Sequence, residues 1–107
     1  MTSYNLVNGI HTAESYALIE DYLRHENGFG GMVMTDWIVS VMAGKGSRNR
    51  NTLSNEVMLA GGDLFMPGSA ADLARVLKAI RSGKIPRHRM EINATRVLRA
   101  IRRCRDL

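Results

Sequence analysis

Two short apolar runs, Met32-Val33-Met34 and Leu64-Phe65-Met66, each follow a helix-forming stretch that closes on glycine. That order constrains the chain more than any single motif. Apolar runs this short, bounded by glycine, read as buried strands. Strands separated by a helix form crossover units, and a crossover makes the two strands parallel. The first run ends in Thr35-Asp36-Trp37. A carboxylate at a strand tip is costly unless it is paired, solvated or used, and in parallel α/β folds that tip faces the ligand crevice. Asp36 therefore reads either as a loop cap with Trp37 filling a core gap, or as a functional pair.

Along the chain, Thr2 to Leu6 is expected to form a short strand with Tyr4 and Leu6 on one face, followed by an Asn8-Gly9 turn. Thr12 can cap a helix running to about Glu26, with Glu14 in its first turn. Leu18, Ile19, Tyr22 and Leu23 form its buried stripe, while Glu20, Asp21 and Arg24 are expected to point outward. Asn27-Gly28 ends the helix ahead of the strand to Asp36. Ile38 to Met42 suits a short helix or more of the buried layer, and residues 44–51 read as an exposed basic loop. Gly44-Lys45-Gly46-Ser47 lacks the order of a nucleotide phosphate loop, because Lys45 lies between the glycines.

A helix of about Thr52 to Ala60 follows, with Leu53, Val57 and Ala60 on one side and Asn55 and Glu56 on the other. Gly61-Gly62 closes it, and Pro67 stops the strand that begins at Asp63. Ser69 is positioned to cap the next helix, with Asp72 in the first turn and Leu73, Val76, Leu77 and Ile80 as its apolar stripe. Gly83 terminates it. In the last helix Met90, Ala94, Val97, Leu98 and Ile101 form the stripe, and Arg96, Arg99 and Arg103 are expected on the solvated side.

At 107 residues and 45% hydrophobic composition the chain is expected to be one folded domain at most. No apolar run approaches the roughly 18 to 20 residues of a membrane span, and no basic-then-apolar leader is present; a signal upstream of Met1 would make the protein secreted or periplasmic, so localisation is unassigned. The single cysteine, Cys104, excludes an internal disulfide and a cysteine metal site. Met1 to Ile85 carries eight basic and eight acidic residues, so the net charge of +5 comes from Pro86 to Leu107, with seven arginines and two acids. Such a helix could touch nucleic acid, an anionic membrane or an acidic partner domain, or equally be a solvated outer face; no aromatics interleave with its arginines, which argues against nucleic acid.

The inventory is α/β, with about three short parallel strands and about four helices. A parallel sheet needs both faces covered and, in a barrel, both edges paired. The chain therefore reads either as a small three-layer protein or as the final part of a barrel. Three blocks carry a resemblance: Ser3-Tyr4-Asn5-Leu6-Val7-Asn8-Gly9, Gly28-Phe29-Gly30-Gly31-Met32-Val33-Met34-Thr35-Asp36-Trp37, and Gly62-Asp63-Leu64-Phe65-Met66-Pro67-Gly68. In this order and spacing they resemble the end of the (β/α)8 TIM barrel of glycoside hydrolase family 3, the β-glucosidase and β-xylosidase family. The likeness extends from Ser3 to about Ile101, and it implies that residues 1–107 are the C-terminal segment, about strands six to eight and their helices, of such a barrel.

The resemblance implies that Asp36 is the nucleophile of a retaining β-glycosidase, attacking the anomeric carbon of a terminal β-linked sugar. It makes Trp37 a stacking wall for the pyranose and sets Tyr4 beside the nucleophile, although Tyr4 also reads as a core tyrosine. Asp63 and Met66 are expected to shape the pocket floor. No cofactor or metal is implied. Gly30 stands where the family commonly has Asp, which would loosen the turn before the strand, and Ile38-Val39 replaces the common Gly-Ala. The Trp after the nucleophile argues against a β-N-acetylhexosaminidase. The family's other sugar-binding residues lie on earlier strands and its acid/base lies elsewhere. The chain alone is thus expected to be inactive, to need the rest of the barrel and the acid/base domain as partners, and to self-associate. The competing expectation is a small α/β binding or structural module whose contacts run through Arg96, Arg99 and Arg103.

Overall fold

The structure, a computed structural model, describes residues 1–41 and 48–105. Its elements in order are β1 (Leu6–Val7), β2 (Ile10–His11), a 3-10 turn (Thr12–Glu14), a π helix (Ala17–Glu26), α1 (Ser54–Leu59), α2 (Ala70–Arg81) and α3 (Arg87–Arg105). This is a small α/β fold with four helices and a two-stranded antiparallel sheet among the described residues. None of those helices is long and apolar enough to cross a membrane.

The sheet is a hairpin, β1 against β2, with Leu6 opposite His11 and Val7 opposite Ile10. Its turn is the expected Asn8-Gly9, both at positive φ (50° and 78°), the backbone that lets a two-residue loop follow the strand twist. The expectation of three parallel strands is corrected in extent. Parallel pairing among the described residues is a single bridge, Met34 to Leu64. The runs are too short for more: Gly31 and Gly62 weaken one end of each, and Pro67 cannot donate at the other. The three segments nonetheless lie side by side. Thr2 N–H donates to Met34 O (2.9 Å), Asp63 N–H to Val33 O (2.8 Å) and Thr35 N–H to Leu64 O (2.9 Å).

Ile38 to Val41 forms a turn, closed by Val41 N–H to Ile38 O (2.9 Å), instead of a helix or strand. Met42 and the expected loop residues 44–47 lie outside the described residues. Thr12 does not cap the first long helix, because its hydroxyl donates to Ser3 O (2.7 Å); Ser15 Oγ instead accepts the Leu18 N–H (3.3 Å). Ser69 does cap α2, accepting from Asp72 N–H at 3.1 Å.

One core cluster joins Ala13, Val57, Met58, Ala79 and Ile85, with Phe65, Val76, Ile80 and Met90 packed on it; a second joins Ile19, Val33 and Ala60. Ile85, 1% exposed, follows Gly83, whose φ of 77° turns the chain out of α2. Burying such a side chain contributes about 1.5–3 kcal/mol. Asn93, also 1% exposed, ties α3 to the end of α1: its amide donates to Met58 O (2.9 Å) and Gly62 O (3.1 Å). Those carbonyls belong to a helix end and the turn after it, where intrahelical donors run out.

Three charged side chains expected on the surface are inside. Glu20 is 4% exposed and Arg24 7%, while Tyr22, expected in the buried stripe, is 57% exposed. The helix is π-wound, with Asn27 N–H on Tyr22 O (3.1 Å). Five-residue hydrogen bonding brings residues four and five apart onto one face, so Ile19, Glu20 and Arg24 turn inward together. Arg96 of α3 joins them. Glu20 Oε1 accepts from Arg89 (2.6 Å) and Arg96 (3.1 Å), and Arg24 pairs with Asp63 at 2.8 Å. Buried charges survive only when paired and hydrogen-bonded, and here each has at least one opposite partner.

On α2 and α3 the apolar stripes are only partly covered. Val76, Ile80, Met90 and Val97 are half-buried. Leu73 (62%), Leu98 (65%) and Ile101 (53%) are exposed instead of buried, because α2 packs inward through Ala79 and α3 through Asn93.

Candidate active site

The bonded neighbours Thr2, Met34 and Leu64 fix what lies beyond them. Two residues on from each stand Tyr4, Asp36 and Met66, so adjacent segments deliver these three to one end of the molecule. The Tyr4 phenol lies close enough to Asp36 to feel its carboxylate. Loss of solvent first, then the neighbouring Asp36 carboxylate, push the phenol above its ordinary value of 10, so at neutral pH it keeps its proton. Asp36 Oδ1 also accepts the Trp37 N–H at 2.7 Å. Asp36 is half-buried, and Trp37 is 53% exposed beside it.

A half-exposed carboxylate that accepts its neighbour's backbone N–H and faces a phenol is tethered on one side and open on the other. That suits a nucleophile, and an open indole next to it suits the C–H face of a sugar ring. Trp37 does not fill a core gap, and Tyr4, at 41% exposure, is not a core tyrosine. Thr35, 1% exposed, supports the arrangement from below. Its Oγ1 accepts the Met66 N–H at 2.8 Å, a side-chain link that continues the pairing where Pro67 would interrupt it. The sequence reading missed this role, although a small hydroxyl inside an apolar run is its trace.

Asp63 sits apart from this group. Its side chain is wholly buried, with Oδ2 accepting from Arg24 (2.8 Å) and from the Val33 N–H (2.8 Å) and Oδ1 facing Arg96 at 3.4 Å. Its contacts support the strand that carries Asp36. Arg24 also donates to Gly31 O (2.8 Å) and Gly61 O (3.1 Å), and it ties the turn that Gly30 was expected to loosen. Burial lowers the pKa of Arg24 against the raising effect of Asp63. For Glu20, burial raises the pKa, but the hydrogen bonds from Arg96 and Arg89 outweigh it and hold the carboxyl below its ordinary value. A cavity of about 520 Å³ opens beside this cluster, between the π helix and α3, lined by His25, Phe29, His88, Ile92, Arg96 and Arg99 among others.

Other carboxylates are engaged away from Asp36. Glu14 holds Arg50 and the Leu53 N–H, Glu56 holds Lys84, and Glu91 holds Arg87. Among the described residues no group of three or more His, Cys, Asp or Glu could hold a metal ion.

The chain is 36% identical to a β-glucosidase of Rhizobium radiobacter over 96% of its own length and 11% of that protein. It is 39% identical to an exo-α-(1→6)-L-arabinopyranosidase of Bifidobacterium breve over 79% of the chain and 10% of the relative. It thus spans about a tenth of the length of these curated relatives. In fold it is similar to the crystal structure of the β-N-acetylglucosaminidase from Thermotoga maritima, with a TM-score of 0.65 at 21% identity over 84% of this chain and 21% of that one. The sequence model described as the glycosyl hydrolase family 3 N terminal domain matches residues 1–100, and the chain belongs to that family.

Proposed function

We propose that this chain is the strand-six-to-eight portion of a (β/α)8 barrel in a retaining β-glycosidase, with Asp36 as nucleophile. The observation that carries the reading is the meeting of Tyr4, Asp36 and Trp37 at the common end of adjacent extended segments, in a chain of glycosyl hydrolase family 3. Asp36 attacks the anomeric carbon, the glycosidic bond breaks, and its electrons leave with the aglycone oxygen, which takes a proton from an acid. The covalent glycosyl ester on Asp36 is then hydrolysed by a water that gives its proton to the same group, and the sugar leaves with its configuration retained. Tyr4 orients the carboxylate before attack, Trp37 offers its face to the pyranose, and Met66 borders the same end.

The acid/base has to stand about 5 to 5.5 Å from Asp36, and it is assigned to another part of the parent protein. A terminal β-glucoside or related pyranoside is the substrate class. The test is to incubate the full-length parent with an activated fluoro-sugar glycoside and locate the covalent label by mass spectrometry. Label on Asp36, and loss of both label and turnover in Asp36→Ala, is the expected result; hydrolysis that persists in Asp36→Ala overturns the assignment. The 107-residue chain alone is expected not to hydrolyse an aryl β-glucoside.

The basic α3 supports a second reading, a binding module. Arg99 and Arg103 are exposed, whereas Arg96 is committed to the buried cluster and cannot serve a partner. Binding that depends on Arg99 and Arg103 and ignores Asp36 would favour this reading.

A further inference from the structure

We infer that Arg24 is a positioning residue for Asp36, acting through Asp63 and the Val33 backbone; this rests on Asp36 being the nucleophile. The Val33–Asp36 segment has few ladder bonds, so its placement depends on side chains. At its start, the Val33 N–H donates to Asp63 Oδ2 (2.8 Å). Asp63 is in turn held by Arg24 at 2.8 Å. The same guanidinium donates to Gly31 O and Gly61 O, the carbonyls just ahead of both apolar runs. One planar cation thus sets the starting points of two neighbouring segments relative to each other.

From Val33 to Asp36 the extended chain covers about 10 Å, with Thr35 locked to Leu64 and Met66 on the way. A shift at the start is therefore passed to the end. Without Arg24, Asp63 keeps only Arg96 as a cation, at 3.4 Å on its other oxygen, and the Gly31 and Gly61 carbonyls lose their donor. Lysine cannot replace this, because a point ammonium lacks the guanidinium's fixed fork of donors. A misplacement of about 1 Å at the reacting atoms costs up to about 100-fold in rate.

The experiment uses the full-length parent, Arg24→Lys and Asp63→Asn, with active sites counted by fluoro-sugar trapping so that unfolded molecules drop out. The expected result is a kcat per trapped site lower by about 10- to 100-fold with KM within about threefold. The double variant should be little slower than the worse single one, since the two residues act as a unit. A kcat per trapped site unchanged in both variants, even with lowered thermal stability, overturns the inference and leaves Arg24 a purely structural residue. Label away from Asp36 in the unmodified parent instead refutes the nucleophile assignment. Should Arg24→Lys fail to fold, Asp63→Asn decides alone, since it is isosteric and removes the charge that holds Arg24 and Arg96.

Discussion

Replacing Glu20 by glutamine tests whether the buried ion cluster holds this fold together. The Glu20 side chain is 5% exposed and lies against Arg89 and Arg96, themselves 14% and 15% exposed, with the Arg24 Nε 3.6 Å away. Solvent can screen little of this. The cluster pairs three arginines with two carboxylates, and the substitution leaves Arg24 and Arg96 facing Asp63 alone and Arg89 without its acid. Removing one partner of a buried pair costs about 3–5 kcal/mol. Glutamine keeps a carbonyl that can accept one arginine N–H, so about 3 kcal/mol is expected, a large part of the roughly 5–15 kcal/mol typical of a domain. With a urea slope of about 2 kcal/mol per molar, the midpoint should fall by about 1.5 M, read by far-ultraviolet circular dichroism. A shift below about 0.3 M would refute the reasoning. The pH dependence has a definite sign. Because the folded carboxyl titrates below its ordinary value of 4.5, its contribution is complete above that value and is lost as pH falls towards the folded pKa. Glu20→Gln should remove that part of the acid sensitivity.

Two glycines separate backbone strain from packing. At Gly61 (φ 95°) a methyl group would run into the Glu20 side chain, while at Gly83 (φ 77°) it would meet nothing within 4 Å. Gly83→Ala is expected to cost about 1–2 kcal/mol, and Gly61→Ala clearly more in the same urea titration; equal losses would argue against the tight packing of Glu20. In a spectrophotometric titration Asp36→Asn should lower the Tyr4 pKa, since the carboxylate's charge, which adds to loss of solvent in raising it, is removed; an unchanged value would argue against their proximity. The isolated chain should self-associate through its open apolar side chains, and Leu73→Lys with Leu98→Lys should reduce the mass seen by sedimentation at high concentration. A monomer at all concentrations would contradict this.

Local features were legible where neighbouring residues decide them. Asn8-Gly9 makes the hairpin turn, Ser69 caps α2, and Gly83 ends it, because each depends on the backbone freedom or hydrogen-bonding reach of one or two residues. The Thr35-Asp36-Trp37 end of the strand was visible for a similar reason, as an apolar run that stops on a carboxylate. The errors arose where distant segments compete. Thr12 looked like a cap but is drawn to Ser3, and a period suited to an α-helix set Tyr22 inside and Glu20 and Arg24 outside on a π-wound one that keeps Ile19 and Leu23 on the core.

The sequence by itself determined the alternation of helix, glycine and short strand, the family, and the residues offered at the strand ends. Only the tertiary structure decided which charges are buried. Glu20, Arg24 and Arg96 look like surface residues when each helix is read alone, since an isolated charge belongs in water. They are inside because Asp63, far off in sequence, lies beside two of them, and Arg89 and Arg96 lie beside the third. The free energy of a buried charge depends on partners in space, and pattern along the chain carries no record of them.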